Sequence, residues 1–322
     1  MKVVSCKLSP VHRLLILSRR AREYHDLVSE ANLPDLGIIS TSDPADAAAR
    51  AADFDLGFGE PSLLCQLLPS MTSLRWLQAT WAGVEPLLNP SLRRDYILTN
   101  ARGVFGGLMS EYVFAYVLAH ERRLLEKYRS QLDGNWDATP PGTLRGKTMG
   151  LFGVGTIGAA LARTAKHFGM RVKGYTRRSE ESRDVDAYFH GDQLAAFAAD
   201  LDYLVAVMPA TARTRHIVNA GFLRALPPRA VFVNPGRGGV IDEPALASAL
   251  HERRLAGAVL DVFQQEPLPA DHVFWNTPNL LITSHTAALS VPEDIAPVFI
   301  DNYRRLLRGE PLKHRVDFDQ EY

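Results

Sequence analysis

The chain has 322 residues, more than a single hydrophobic core usually supports, so two domains are expected. Its 36 Lys and Arg residues balance its 36 Asp and Glu residues, which excludes a global attraction to nucleic acid or an anionic membrane. The two cysteines cannot form a disulfide framework and lack zinc-site spacing, so no metal site is predicted. Without a membrane-length apolar run or a signal-peptide pattern, the chain is predicted to be cytoplasmic.

Strand-like and helix-like patterns alternate through the first hundred residues. Such alternation predicts a parallel sheet with helices on its faces. The predicted strands are Leu14–Leu17, Leu36–Ser40, Phe54–Phe58, Leu74–Gln78 and Tyr96–Thr99, and the predicted helices are Ala21–Ala31 and Leu63–Leu68.

A single long helix is predicted next. Large side chains recur at every fourth position from Leu108 to Tyr128, which places them on one helical face. This helical face is wide enough to be buried between two neighbouring structural units. The segments Asp133–Asn135 and Pro140–Gly142 then break the pattern.

The alternation restarts near residue 148 and is more regular there. Six strands are predicted, at Met149–Gly153, Arg171–Tyr175, Tyr203–Val207, Val231–Asn234, Ala258–Asp261 and Leu280–Thr283. Six strands fit the two halves of a doubly wound dinucleotide-binding domain. The predicted fold class is therefore α/β, with two Rossmann-like doubly wound domains.

The C-terminal segment is predicted to be helical around Glu293–Leu307, and no predicted strand lies close to it in the sequence. We expect it to return to the first domain. Residues 1–100 and 286–322 would then form a discontinuous, flavodoxin-like substrate domain. Residues 101–285 would form an NAD(P)-binding domain inserted into it.

The segment Gly153-Val-Gly155-Thr-Ile-Gly158 follows a predicted strand and begins a predicted helix. In such a turn the first glycine permits the tight bend, the second lets the backbone approach a pyrophosphate, and the third allows close helix–strand packing. Thr156 and Ile157 begin the helix, whose N-terminal N–H groups suit phosphates. The motif therefore predicts a dinucleotide site.

The next strand ends at Thr176-Arg177-Arg178-Ser179. An NAD site usually carries Asp or Glu here, to bind the ribose 2′-hydroxyl. That carboxylate is missing, and two arginines flanked by hydroxyl groups suit a 2′-phosphate. The pattern favours NADP(H), with NAD(H) as the second choice, although an exposed, solvated turn would have the same composition.

The ends of the later strands carry residue types that suit hydride transfer to a carbonyl. His285 can supply a proton near neutral pH. Glu266 precedes it by 19 residues, and a carboxylate touching His285 would favour its charged form and fix its tautomer. Arg237 can hold the carboxylate of an α-keto acid and polarise its carbonyl. Each residue alone could be a loop cap or a turn residue, and only their joint occurrence at successive strand ends favours catalysis.

These motifs resemble those of the D-isomer-specific 2-hydroxyacid dehydrogenase family. The resemblance covers nearly the whole chain and rests on Gln78–Val84, Asn100–Tyr112, Gly153–Gly158, Met208–Thr214, Asn234–Asp242, Asp261–Pro267 and Thr283–His285. The arginine pair makes the chain similar to the glyoxylate/hydroxypyruvate reductase branch. Ser284 stands where the family often has Pro, and Glu85 where it often has Asp.

The resemblance implies roles for individual residues. Arg237, Glu266 and His285 would be catalytic, and the backbone of Ala82, Gly83 and Val84, with Arg237 and His285, would contact the substrate. The cofactor site would add Met109 near the nicotinamide, Asp261 on its carboxamide, and Met208, Pro209, Thr214, Asn234, Pro235 and His285 along the strand ends. A homodimer would form around the long helix.

Together these features predict NAD(P)H-dependent reduction of small 2-keto acids to D-2-hydroxy acids. Two alternatives stay open. One is a dehydrogenase of another small substrate, such as formate or phosphite. The other is a dinucleotide-sensing binding protein, like the corepressors on this fold, which the intact Arg, Glu and His set disfavours.

Overall fold

The computed structural model describes residues 12–177 and 180–320. The chain divides into two compact units, one of residues up to Val104 together with Ser290 onward, and one of Phe105–Leu289. The predicted boundaries, at residues 100 and 286, differ from 104 and 290 by four residues each.

The secondary structure of the described residues alternates strand and helix in both units. The strands are β1 His12–Leu17, β2 Leu36–Thr41, β3 Leu56–Gly59, β4 Trp76–Ala79, β5 Ile97–Thr99, β6 Thr148–Phe152, β7 Arg171–Tyr175, β8 Ala187–Phe189, β9 Tyr203–Ala206, β10 Val231–Asn234, β11 Gly257–Leu260 and β12 Leu280–Ile282. The α-helices are α1 Ala21–Glu30, α2 Pro44–Ala48, α3 Pro61–Leu67, α4 Gly106–Glu121, α5 Leu124–Leu132, α6 Thr156–His167, α7 Leu194–Ala198, α8 Ala220–Ala225, α9 Glu243–His251 and α10 Pro292–Leu307.

The first unit contains a parallel sheet in the order β2-β1-β3-β4-β5. This is the flavodoxin-like order, as predicted. The run Leu14–Leu17 in β1 is fully buried, since a central parallel strand is covered on both faces. The tail helix α10 packs on this unit, where Phe299 stacks against Phe58 and Trp76 with ring centroids 4.8 and 5.0 Å apart.

The second unit contains a parallel sheet in the order β12-β11-β10-β9-β6-β7-β8. All six predicted strands are present within one or two residues of their predicted bounds. The strand β8 was not predicted, because it is only three half-buried residues long and shows no clear alternation. Two apolar clusters cover this sheet, and neighbouring residues such as Leu204 and Val205 belong to different clusters. A sheet with two buried faces is the doubly wound arrangement.

The prediction of one continuous helix from Leu108 to Tyr128 is wrong. The chain forms α4 and α5, and between them Arg123 adopts a left-handed conformation with φ of 57°. A residue in this conformation cannot continue the hydrogen-bond ladder of a right-handed helix. The buried residues of α4 include Val113 and Val117, while Leu124 and Tyr128 on α5 are exposed.

No helix in the described ranges is both long and apolar enough to span a bilayer.

Candidate active site

The glycine turn joins β6 to α6 in the second unit. Gly153 has φ of 94°, a conformation that side chains disfavour. A Cβ at Gly158 would lie 2.2 Å from the Gly153 carbonyl oxygen, so α6 approaches the turn only because this residue has no side chain. A Cβ at Gly155 would meet no atom within 4 Å. The first turn of α6, with exposed Thr156 and half-buried Ile157, therefore borders open space, and the turn fits a dinucleotide pyrophosphate.

The end of β7 carries buried Thr176 and exposed Arg177, while Arg178 and Ser179 lie outside the described residues. Glu180, whose carboxylate was not predicted to take part in this site, lies close by. Glu180 Oε1 is 2.6 Å from His190 Nε2, and His190 Nδ1 is 2.9 Å from the Thr176 carbonyl oxygen. The hydrogen bond with Glu180 raises the pKa of His190. This carboxylate is thus engaged by a histidine that sequence analysis did not single out.

The loop after β9 approaches the glycine turn closely. A Cβ at Gly153 would lie 3.0 Å from the Cα of Met208, which is buried. Thr214 closes this loop, because its hydroxyl donates to the Pro209 carbonyl at 2.7 Å and accepts from the Thr211 N–H at 2.8 Å. The structure therefore gives Thr214 a structural function in shaping the loop.

Arg237 stands on a turn directly after β10. The fully buried Asn234 donates from Nδ2 to the Arg237 carbonyl at 2.9 Å and accepts from the Gly236 N–H at 3.1 Å. Pro235 is buried within the same turn, and a Cβ at Gly238 would lie 2.0 Å from the Phe263 carbonyl carbon. The local sequence therefore fixes the backbone and leaves the Arg237 side chain half-exposed.

His285 and Glu266 come together although they are 19 residues apart. His285 Nδ1 lies 2.6 Å from Glu266 Oε2, and Glu266 Oε1 accepts from the Phe263 N–H at 2.9 Å. A carboxylate on Nδ1 orients the imidazole, so Nε2 is the ring atom that can exchange a proton with a ligand. His285 has φ of 56°, and its N–H donates to the Asp261 carbonyl at 2.8 Å.

Asp261 follows β11 and is almost fully buried. Its Oδ1 accepts from the Thr283 hydroxyl at 2.5 Å and the Thr286 N–H at 2.9 Å, and its Oδ2 accepts from the Ala287 N–H at 2.9 Å. These bonds use three of the roughly four acceptor positions of a carboxylate. The family resemblance implied a contact between Asp261 and the cofactor, and it gave no sign that Asp261 organises the loop that carries His285.

The remaining predicted residues lie on two elements. Met109 is half-buried on α4 of the second unit. In the first unit, Ala82, Gly83 and Val84 follow β4, and the Ala82 carbonyl accepts from Asn100 Nδ2 at 2.8 Å. This bond fixes the loop backbone that sequence analysis expected to contact a substrate.

Comparison with known proteins assigns the chain to a protein family. Residues 114–287 match the family model described as D-isomer specific 2-hydroxyacid dehydrogenase, NAD binding domain. This chain belongs to the D-isomer-specific 2-hydroxyacid dehydrogenase family. A glyoxylate/hydroxypyruvate reductase A from Serratia proteamaculans is 32% identical to this 2-hydroxyacid dehydrogenase over 277 residues, covering 83% of this chain and 87% of that protein.

Solved structures of the same family are similar over nearly the whole chain. A family member from Aeromonas salmonicida has 41% identity and a TM-score of 0.91, covering 96% of this chain and 99% of that one. An NADPH-dependent glyoxylate/hydroxypyruvate reductase from Sinorhizobium meliloti, in complex with NADP and sulfate, has 27% identity and a TM-score of 0.85, covering 97% and 100%. The predicted family and branch are confirmed, and this 2-hydroxyacid dehydrogenase is an NAD(P)-dependent oxidoreductase.

Proposed function

We propose that this protein reduces small 2-keto acids of the glyoxylate and hydroxypyruvate class to D-2-hydroxy acids, with NADPH preferred. The observation that carries the proposal is the 2.6 Å contact between His285 Nδ1 and Glu266 Oε2, just beyond the carboxyl end of β12. A histidine oriented by a carboxylate is suited to general acid catalysis. The names of the relatives support the substrate class.

In this mechanism the bound cofactor, held at the Gly153–Gly158 turn, supplies the hydride for the keto carbon. Arg237 binds the substrate carboxylate and polarises the carbonyl. His285 gives the proton on Nε2 to the carbonyl oxygen and recovers a proton from solvent. Glu266 orients the imidazole through its contact with Nδ1.

The NADPH preference is supported by Arg177 at the end of β7 and by Glu180, the nearby carboxylate, being paired with His190. A carboxylate engaged in this way is less available to a ribose 2′-hydroxyl. The Sinorhizobium relative was crystallised with NADP.

A cytoplasmic homodimer is part of the proposal. In the single chain α5 exposes Leu124, Tyr128 and Leu132, and Trp136 beyond it is 95% exposed. Exposed apolar side chains in one segment favour burial against a second copy. Light scattering at micromolar concentration should give twice the mass of the chain.

The decisive experiment is a panel of 2-keto acids with NADPH and NADH, with chiral analysis of the product. We expect glyoxylate and hydroxypyruvate turnover, D products where the product is chiral, and kcat/KM at least about tenfold higher with NADPH. His285→Ala should lower kcat by about 10²- to 10⁴-fold. His167→Ala, on the exposed end of α6, is the matched control.

Three results would contradict the proposal. Tight NADPH binding without turnover of any keto acid would favour a nucleotide-sensing protein. Turnover restricted to formate or phosphite would favour the other dehydrogenase class. Near-normal turnover by His285→Ala would exclude this residue as the proton donor.

A further inference from the structure

A chain of hydrogen bonds runs from helix α4 to the carboxylate beneath the His285 loop. The Tyr112 hydroxyl oxygen lies 2.8 Å from Thr283 Oγ1, and Thr283 Oγ1 donates to Asp261 Oδ1 at 2.5 Å. Because threonine has one hydroxyl proton, which this bond to Asp261 uses, the Thr283 oxygen accepts from Tyr112. Both hydrogen bonds therefore run in the same direction, with Tyr112 donating to Thr283 and Thr283 donating to Asp261.

The carboxylate at the end of this chain holds the backbone directly after His285. Asp261 accepts from the N–H groups of Thr286 and Ala287, while its own carbonyl accepts from the His285 N–H. A left-handed conformation is unfavourable for a non-glycine residue, because it brings Cβ too close to the following carbonyl oxygen. His285 has this conformation, so surrounding bonds must maintain it.

Tyr112 is suited to remain a hydrogen-bond donor. Burial raises the pKa of its hydroxyl, so the group stays protonated over the working pH range. Its ring packs edge-on against Tyr116 on the same helix, with ring centroids 4.8 Å apart. The helix and this ring contact restrict the directions in which the hydroxyl can point.

We propose that Tyr112 is a positioning residue: its hydroxyl fixes the Thr283 hydroxyl on Asp261, and Asp261 thereby holds the loop that presents His285. Tyr112 acts through Thr283 and Asp261 and touches no reacting atom. The kinetic part of this inference rests on the proposed function, whereas the structural part does not.

The structural test is amide hydrogen exchange of the full-length protein over residues 283–287. Tyr112→Phe removes one hydroxyl and should accelerate exchange there about threefold to tenfold, the effect of losing one neutral hydrogen bond. Tyr116→Phe is the matched control and should leave this segment unchanged. Thr283→Val should accelerate exchange at least as much, and Thr283→Ser, which keeps the hydroxyl, should restore most of the protection.

The kinetic test uses NADPH carrying deuterium at the transferred position. In Tyr112→Phe we expect kcat to fall about threefold to tenfold and its isotope effect to rise, because a misplaced proton donor slows the chemical step. NADPH affinity should stay within about twofold, and adding Tyr112→Phe to Thr283→Val should cause little further loss.

Exchange over residues 283–287 that is equal in Tyr112→Phe and Tyr116→Phe would overturn the inference, whether or not the enzyme turns over. A parent that reduces keto acids while Tyr112→Phe matches Tyr116→Phe in kcat would overturn its kinetic part. A parent that reduces no keto acid would refute the proposed function, and the exchange data would still decide whether Tyr112 positions the loop.

Discussion

The backbone of His285 and its side-chain partner are fixed by different residues. Asp261 accepts from the backbone N–H of His285, and Glu266 contacts the ring 2.6 Å from Nδ1. Glu266 is itself held by the Phe263 N–H. The backbone and the ring of His285 are therefore held separately, and substitution at Glu266 should alter the contact with the ring while the hydrogen bond from the His285 N–H to Asp261 remains.

Glu266→Gln tests the charge on this partner. The amide keeps the shape of the side chain and an oxygen for the Phe263 N–H, but it places no negative charge next to the His285 ring. We expect kcat to fall roughly 10²-fold with NADPH affinity unchanged. Glu252→Gln, which changes an exposed carboxylate at the end of α9, is the control, and equal kcat values for the two variants would exclude a function for Glu266 in proton transfer.

Two glycines of the dinucleotide turn allow a paired prediction. Gly155→Ala adds a methyl group to open space, so the protein should fold normally while dinucleotide affinity falls about tenfold or more. Gly158→Ala places a methyl group 2.2 Å from a carbonyl oxygen, and it should lower the free energy of unfolding by about 3 kcal/mol or more. Urea unfolding and NADPH titration measure both effects. Normal dinucleotide affinity in Gly155→Ala would show that the pyrophosphate does not approach this residue.

Among the secondary-structure elements, α10 is the clearest case of an element whose place is set by packing. Its sequence predicts a helix, and the buried Phe299 completes an aromatic stack with Phe58 and Trp76. Asn302, also fully buried, donates to Gln78 Oε1 at 3.2 Å. Residues from the two ends of the chain thus form one core.

Phe299→Ala should therefore destabilise the protein by about 3–5 kcal/mol. Leu307→Ala on the same helix removes a partly exposed side chain and should cost far less. Urea denaturation followed by circular dichroism gives both values. A small effect of Phe299→Ala would mean that α10 is dispensable for this core.

At the scale of the whole molecule, each apolar cluster lies within one of the two units. The two clusters around the second sheet contain only residues of the Phe105–Leu289 unit. The third cluster contains residues between Leu15 and Leu98 together with Val316, and all of them belong to the first unit. A unit with its own core can fold alone. The dinucleotide turn and the His285–Glu266 pair both lie in the second unit.

Residues 105–289 expressed alone should consequently fold and bind NADPH within about tenfold of the full-length affinity. Residues 12–104 alone should stay unfolded, because they lack Phe299. Calorimetry and NADPH titration test these expectations, and a folded 12–104 fragment would contradict the packing argument for α10.

The sequence by itself determined most of the fold and of the candidate site. Consecutive buried strands, the spaced glycines and the residues at strand ends are local patterns, because each depends on periodicity or on the conformation of a few neighbouring residues. These patterns predicted every described strand except β8, and they singled out the glycine turn and the candidate residues Arg237, Glu266 and His285, whose functions stay predictions.

Only the tertiary structure decided the features that depend on distant contacts. The helix break at Arg123 depends on one left-handed residue inside a periodic pattern, and β8 exists because β7 offers its edge. The pairing of Glu180 with His190 and the chain from Tyr112 to Asp261 join residues that are far apart in sequence or on different elements. Such contacts leave no periodic trace, because hydrogen-bond geometry is set by how elements pack and not by the spacing of residues along them.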